Sequence, residues 1–457
     1  MGKEKSLSLT EGNIWKGLAI FILPIIGSSL VQQLYTTVDA VIVGQFVGKT
    51  GLAAIDSVGT LFKFPINFLN GMSAGATIIV SKYYGRKEEE ELDCSIHSAY
   101  TIALVLGIAC SLIGVVFSPQ LLRLMQVPDD IYEMTLVYVR IYFAGLWSVT
   151  LYNMISGIIR AFGDSRSPFY ILIVCALINV AGDYILVGLM NMGAAGAAIA
   201  TIGAQAVSAV LAMMILANKH THCHDHIWEI RYCPEHFPMT VKTGLPLAFQ
   251  SILFPVANSI VQANVNTMGT DCIAAWAVCG KLDLLIWLVA DAMSPALSTY
   301  VAQNIGADKK DRVSKGVFIG AGASAACIAL ISLILFFFSG PLGSLFVSAE
   351  DAAALRPYVV RFMSMMCPFY VFYALAEAFS GAVCGLGDTL RPMIITLLCT
   401  CGLRVAAILF ILPKYRSMET IVWIYIASWI VTGVTFTILF LAKRGKLMAV
   451  RKDEQIR

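Results

Sequence analysis

The sequence predicts an all-α, polytopic membrane protein: twelve transmembrane helices in two six-helix bundles, related by a pseudo-two-fold axis along the membrane normal. Three observations predict it. Hydrophobic residues make up 58% of the 457-residue chain and charged residues only 13%, about half the roughly 25% of a soluble domain, and mean hydropathy is +0.77. Apolar stretches of the about 20 residues needed to cross a bilayer recur along the whole chain. The two halves, finally, are copies of one another. Water-soluble enzymes, DNA-binding modules and disordered scaffolds are thereby excluded as readings of the whole chain. The net charge of +3 is too small to point to a nucleic acid or other polyanionic partner.

Spans read at roughly 14–46, 51–80, 92–118, 130–160, 168–189 and 195–218, and then at roughly 243–268, 272–304, 313–339, 352–386, 391–412 and 419–442. The run from Glu11 to Val47 fits one long helix or a helix broken at Pro24. Residues 1–219 are expected to form an N-terminal lobe, 220–241 a linker and 242–457 a C-terminal lobe. Lys and Arg outside the spans fall mostly at the termini and in the even-numbered loops, among them Lys82, Arg86, Arg166, Lys309 and Arg312. The odd loops hold only Lys49, Arg123, Arg356, Lys414 and Arg416. The positive-inside rule then places both termini and the linker in the cytoplasm. Met1 to Thr10 is polar and shows no removable signal peptide. Cysteines such as Cys110, Cys175, Cys327, Cys399 and Cys401 lie in apolar runs and read as small hydrophobes; no spacing suggests a disulfide framework, so they carry no compartment signal.

The duplication is read by shifting the chain on itself. At 221 residues, Gly71-Met72-Ser73-Ala74 falls on Ala292-Met293-Ser294-Pro295 and Gly48 on Gly269; at 224, Ser156-Gly157 falls on Ser380-Gly381, Gly163-Asp164 on Gly387-Asp388 and Pro168 on Pro392. Each half has an even number of spans, so the copies enter the membrane in the same sense, as in secondary transporters with parallel repeats. An enzyme has little use for two matched bundles, and no His-Glu-x-x-His, Gly-x-Ser-x-Gly or phosphate loop is present. The repeated Gly-Asp-x-x-x-Pro element has a structural explanation: Gly ends one helix, a polar residue caps the next, and Pro occupies its first turn.

Val38-Asp39 followed by Gly44, Arg160-Ala161-Phe162-Gly163-Asp164 with Pro168, Asn179-Val180-Ala181-Gly182-Asp183 and Gly196-Ala197-Ala198-Ile199-Ala200-Thr201 together resemble the MATE (multidrug and toxic compound extrusion) family, over roughly residues 11–445. The resemblance implies two six-helix lobes in a V, and cation-driven export of organic cations from a bacterial cytoplasmic (inner) membrane. The paired first-lobe acids look closer to the prokaryotic DinF-like and MepA-like branches than to the eukaryotic ones.

An acid in the middle of a span costs on the order of 2.5–3.5 kcal/mol and persists where it has a task or a partner. Asp39 lies deep in the first span, Asn179 and Asp183 sit four apart on one face of the fifth, and Thr201 lies inside the sixth. Carboxylate, amide and hydroxyl oxygens suit a small cation, and two close acids can instead share a proton; the coupling ion is H⁺ or Na⁺. A structural alternative leaves Asp183 facing headgroups and Asn179 as a packing group. The second lobe does not repeat the set. Asn179 falls on Leu403 and Asp183 on Ala407, residues 243–268 contain no acid, and the acids present are Asp283, Asp291 and Glu377. Glu377 reads as a substrate counter-ion or as a partner of Arg361 or Arg404, while Lys63 and Lys281 reach an interface or pair locally, as Lys281 with Asp283.

Tyr35, Gln32, Gln33, Asn153 and Gln250 are candidate polar contacts in a Met- and aromatic-rich cavity for small organic cations, with membrane lipids around a monomeric chain. A competing reading, a flippase for lipid-linked oligosaccharides, calls for a cationic cavity and is disfavoured by the excess of buried acids. No cofactor is expected. The linker carries His220, His222, His224 and His226 around Cys223, followed by Cys233 and His236. As a metal site it is a weak candidate, because alternate residues of a loop are not a preorganised tetrahedron.

Overall fold

The computed structural model describes residues 9–219 and 233–456. Sixteen α-helices make up the described chain: α1 (Ile14–Phe46), α2 (Gly48–Arg86), α3 (Glu89–Leu124), α4 (Asp129–Ala144), α5 (Leu146–Ala161), α6 (Arg166–Asp183), α7 (Gly193–Lys219), α8 (His236–Val265), α9 (Thr270–Leu282), α10 (Leu284–Gly306), α11 (Lys310–Gly343), α12 (Ala349–Met366), α13 (Tyr370–Gly385), α14 (Leu390–Ile395), α15 (Leu403–Phe410) and α16 (Met418–Ile456). The count exceeds twelve because single spans are interrupted. The fourth breaks at Gly145 between α4 and α5, and its copy breaks at a 3₁₀ turn, Cys367–Phe369, at the position 224 residues on. The fifth and eleventh spans carry π-helical turns, Tyr184–Leu189 and Thr396–Gly402.

Among the described residues, eleven helices are long and apolar enough to cross a membrane by length and composition. Of the two possibilities for the first span, the continuous helix is found, with Pro24 inside α1. The Ser28 hydroxyl donates to the Pro24 carbonyl at 2.8 Å, one turn on.

The chain divides into two compact units, whose boundaries differ from the expected ones. The first contains Ile20–Ala248; the second contains Leu9–Ala19 and the chain from Phe249 onward. Each half's opening helix therefore starts in the opposite unit. α8 begins at His236 rather than after residue 241, so the expected linker is shorter at its C-terminal end.

Within the second unit, Leu9 is buried at 2% exposure, and the strap it opens is held through its carbonyls. Asn304 Nδ2 donates to Leu9, Lys309 Nζ to Thr10 (2.9 Å), and the Arg312 guanidinium to Glu11 (3.1 Å) and Gly12 (2.9 Å). In the first unit the segment opening α8 is held differently. His236 Nε2 lies 2.9 Å from a Glu91 carboxylate oxygen, its ring packs 5.1 Å from Tyr83, and Cys233 is disulfide-bonded to Cys94. The pairing corrects the expectation of no disulfide.

The repeat seen in the sequence is also a repeat of backbone and contacts. Gly163 and Gly387 both take φ near +85° (85° and 88°), as do Gly48 and Gly269 (77° and 95°), and Lys87 and Asp308 are left-handed at 60° and 55°. In the first unit Gly157 of α5 abuts Ser73 and Thr77 of α2; in the second, Gly381 of α13 abuts the Ser294 backbone of α10. Glycine is required there because a Cβ would occupy the neighbouring helix.

Each unit has a mixed aliphatic and aromatic core. Around α2, α3, α5 and α7 the first packs Ile79, Val80, Ile155, Ile158 and Ala212, and a second cluster sets Phe62 against Tyr142 with ring centroids 4.1 Å apart. In the second unit Tyr370 and Trp429 have ring centroids 5.0 Å apart, and Trp287 and Tyr373 4.6 Å.

Candidate functional site

The capping reading of Gly-Asp-x-x-x-Pro fits the first copy closely. Asp164 Oδ1 accepts from the backbone N–H groups of Arg166 (3.1 Å) and Ser167 (3.0 Å), and Oδ2 from the Ser167 hydroxyl (2.6 Å). In the second copy Asp388 accepts from the Arg391 N–H at 3.3 Å and pairs with Lys443 Nζ at 2.7 Å. The first-copy acid sets the start of α6, and so the depth of every side chain further along that helix.

Asn179 and Asp183 stand near the far end of α6, one turn apart, 1% and 0% exposed. The headgroup-facing alternative for Asp183 is excluded by that burial. They are brought against α7 by a stretch of small residues, including Ala194, Ala197, Ala198 and Ala200, all buried, which lets helices of a membrane protein approach closely. Asn179 Nδ2 donates to Thr201 Oγ1 at 3.3 Å, and the Thr201 hydroxyl spends its own proton on the Ala197 carbonyl at 2.9 Å. From α1, the Asp39 carboxyl comes within side-chain reach of Asp183. The four residues expected to form a coupling site are thus brought together within the first unit.

The hydrogen-bond accounting is uneven. Asn179 Oδ1, Asp39 Oδ1 and both oxygens of Asp183 are buried with no donor. Two carboxylates have no proton between them, so their contact is a hydrogen bond only when one is protonated. A bound cation satisfies the same oxygens. Buried acceptors left without a partner cost about 1–3 kcal/mol each, more for charged groups. Directly after Asp183 the helix widens into its π turn, a distortion frequent at functional sites. Among the described residues no group of three or more His, Cys, Asp or Glu side chains is placed to hold a metal ion, and His220, His222, His224 and His226 lie outside the described residues.

The second unit's acids are each met by a hydroxyl. Tyr370 donates to Asp283 Oδ2 at 3.0 Å and Tyr373 to Asp291 Oδ1 at 2.8 Å, while Glu377 bonds Ser294. Neither partner considered for Glu377 engages it. Arg361 pairs with Glu419 at 2.9 Å. Arg404, 1% exposed, donates to Ser428 and Asn258 at 2.9 Å each and lies 4.1 Å above the Tyr425 ring. Asp283 is likewise committed to Tyr370 rather than to its neighbour Lys281, which is exposed. Tyr370 and Tyr373 escaped the sequence reading, although their spacing to Glu377 of seven and four residues marks one helix face.

Of the cavity candidates, Gln250 donates to Thr396 Oγ1 at 3.1 Å, Tyr35 bonds Gln32, and Asn153 is half-buried with its carbonyl accepting from Ser73. Gln33 is exposed.

Comparison with known proteins decides the family. The MatE family model matches this chain twice, over residues 24–185 and 246–409. The chain is a MATE-family transporter. It is 26% identical over 456 residues to the probable multidrug resistance protein YoeA of Bacillus subtilis, covering 98% of this chain and 96% of that one. It is 24% identical over 310 residues, 66% of this chain and 68% of that one, to an FAD transporter of Shewanella oneidensis. In fold this MATE transporter resembles an outward-facing multidrug resistance MATE transporter of the MOP superfamily at TM-score 0.89, with 18% identity and 98% and 100% of the chains covered. A Pyrococcus furiosus MOP superfamily transporter, described by a reversed polarity of its binding pocket, matches at TM-score 0.88, with 17% identity and 98% and 100% covered. The family is one of transporters, not enzymes.

Proposed function

We propose that this MATE transporter is a secondary antiporter of the bacterial cytoplasmic membrane, with both termini cytoplasmic, that exports cationic amphiphilic compounds in exchange for H⁺ or Na⁺ by alternating access. The single observation that carries the coupling half of this reading is the set of four buried oxygens on Asp39, Asn179 and Asp183 with no donor. A proton or a small cation is what such a set accepts, and it leaves again when the acids must separate or rehydrate. Relatives named as multidrug resistance proteins support the cargo class, as does the excess of acids over bases at membrane depth. The chain acts as a monomer among lipids.

Purified protein in proteoliposomes tests the reading. Efflux of a cationic dye is measured under an imposed proton gradient, then under a sodium gradient, with flavin dinucleotide as the anionic comparison because one relative carries that name. Dye movement driven by one gradient and absent without it is expected. Transport of the dinucleotide alone overturns the cargo class, and uphill movement with neither ion overturns coupling.

A further inference from the structure

We propose that Cys94 and Cys233 form a reversible thiol–disulfide site that fastens the segment opening the second half onto α3. Their Cα atoms are 5.8 Å apart across a sequence separation of 139 residues, inside the window that two cysteines need to bridge without backbone movement. The site is built on both sides. Cys94 lies in the second turn of α3, and Cys233 stands three residues before His236, which the Glu91 carboxylate and the Tyr83 ring hold in place. Nine other described cysteines are free, so this is the pair the local geometry brings within bridging distance.

Both sulfurs sit at the end of the first unit that the charge distribution assigns to the cytoplasm, a compartment that keeps thiols reduced. The inference rests on that orientation. Cys94 is half-buried and Cys233 only 5% exposed, which orders the chemistry. The Cys94 thiolate attacks a low-molecular-weight disulfide, forming a mixed disulfide and releasing one thiol. The Cys233 thiolate then attacks the Cys94 sulfur and expels the second. The two protein thiols are oxidised, the small disulfide is reduced to two thiols, and those thiols carry away both protons. A reducing thiol reverses the sequence.

The test inserts a protease recognition site between Asp225 and His226 of the full-length chain, so that cutting leaves Cys94 and Cys233 on different fragments. Cells are quenched in acid with an alkylating agent before or after treatment with a disulfide oxidant, and the cut protein is run without reductant. Two fragments are expected from untreated cells, and one species of the full 49.5 kDa after oxidant, split by dithiothreitol. Cys94→Ser and Cys233→Ser each give two fragments throughout, which excludes a link through Cys223. Separate fragments from oxidised wild type overturn the pairing. A single species from untreated cells overturns reversibility. The same inserted site reads orientation independently: cleavage by protease added outside intact spheroplasts, rather than in inverted vesicles, overturns the cytoplasmic assignment on which the site depends.

Discussion

The two units hold their buried acids in opposite ways. In the second, Asp283, Asp291 and Glu377 each have a hydroxyl donor, from Tyr370, Tyr373 and Ser294. In the first, Asp39 and Asp183 have each other, and no hydroxyl reaches the free oxygens. One duplicated scaffold thus carries acids that each meet a hydroxyl in one copy, with Asp283 Oδ1 left over, and an acid pair that meets none in the other. The copy whose acids meet no hydroxyl is the one that takes something from outside the chain, because internal hydroxyls cannot come and go but a proton or a cation can. Duplication frees the copies to divide these duties while the backbone, down to the left-handed Lys87 and Asp308, stays alike.

The largest effect is expected at the unsatisfied acids. Asp183→Asn and Asp39→Asn should each abolish gradient-driven efflux in proteoliposomes while the protein still purifies folded, since an amide cannot cycle between charged and neutral forms. Uphill transport at the wild-type rate by both variants would erase the distinction between the units. Next come the helix contacts that the copies share. Gly381→Ala sets a Cβ against the Ser294 backbone, whereas Gly157→Ala meets mainly the Thr77 and Ser73 side chains. Overpacking of this kind costs about 1–3 kcal/mol, and the Gly381 variant should lie at the upper end. Thermal unfolding in detergent measures both, and equal losses would contradict the backbone-against-side-chain argument.

A smaller and more selective change is expected at Glu377. If it faces cargo as well as Ser294, Glu377→Gln weakens binding of monovalent cationic dyes more than of neutral ones, read by fluorescence titration. An equal loss for both classes assigns it to the scaffold with Asp291. The smallest effect concerns the linker. Replacing His220, His222, His224 and His226 with Ser should leave dye efflux unchanged while reducing Ni²⁺ retention of untagged protein. Loss of efflux that no other linker of equal length restores would give that segment a role in transport.

The fold was legible because its signals are long and redundant. Spans of twenty residues, a charge bias and two repeat offsets all point the same way. The first-unit site was legible for a different reason: an acid deep in an apolar run is conspicuous by itself, and Asn179 with Asp183 shows helical spacing. Contacts across the fold were harder. Nothing local in Asp291 announces that Tyr373, 82 positions away, will meet it. Local charge proximity in turn misled at Lys281, because burial of Asp283 against Tyr370 outweighs an exposed pairing two residues off. The cysteine pair had a visible trace, Cys94-Ser95-Ile96-His97 and Cys233-Pro234-Glu235-His236. That repeat acquires meaning only when the fold sets the two segments side by side.

The strap at Leu9–Gly12 sets an order on biogenesis. Its carbonyls are claimed by Asn304, Lys309 and Arg312, at sequence separations of 295 to 303 residues. At translation rates of about 5–20 residues per second, Leu9–Gly12 is made roughly 15–60 s before the turn that will hold it. Until then none of these bonds to the strap can form, and a nascent chain that stops short of Asn304 has none of them. The Leu9–Gly12 strap is among the last contacts to be finished, and its attachment reports that translation has passed well into the second half.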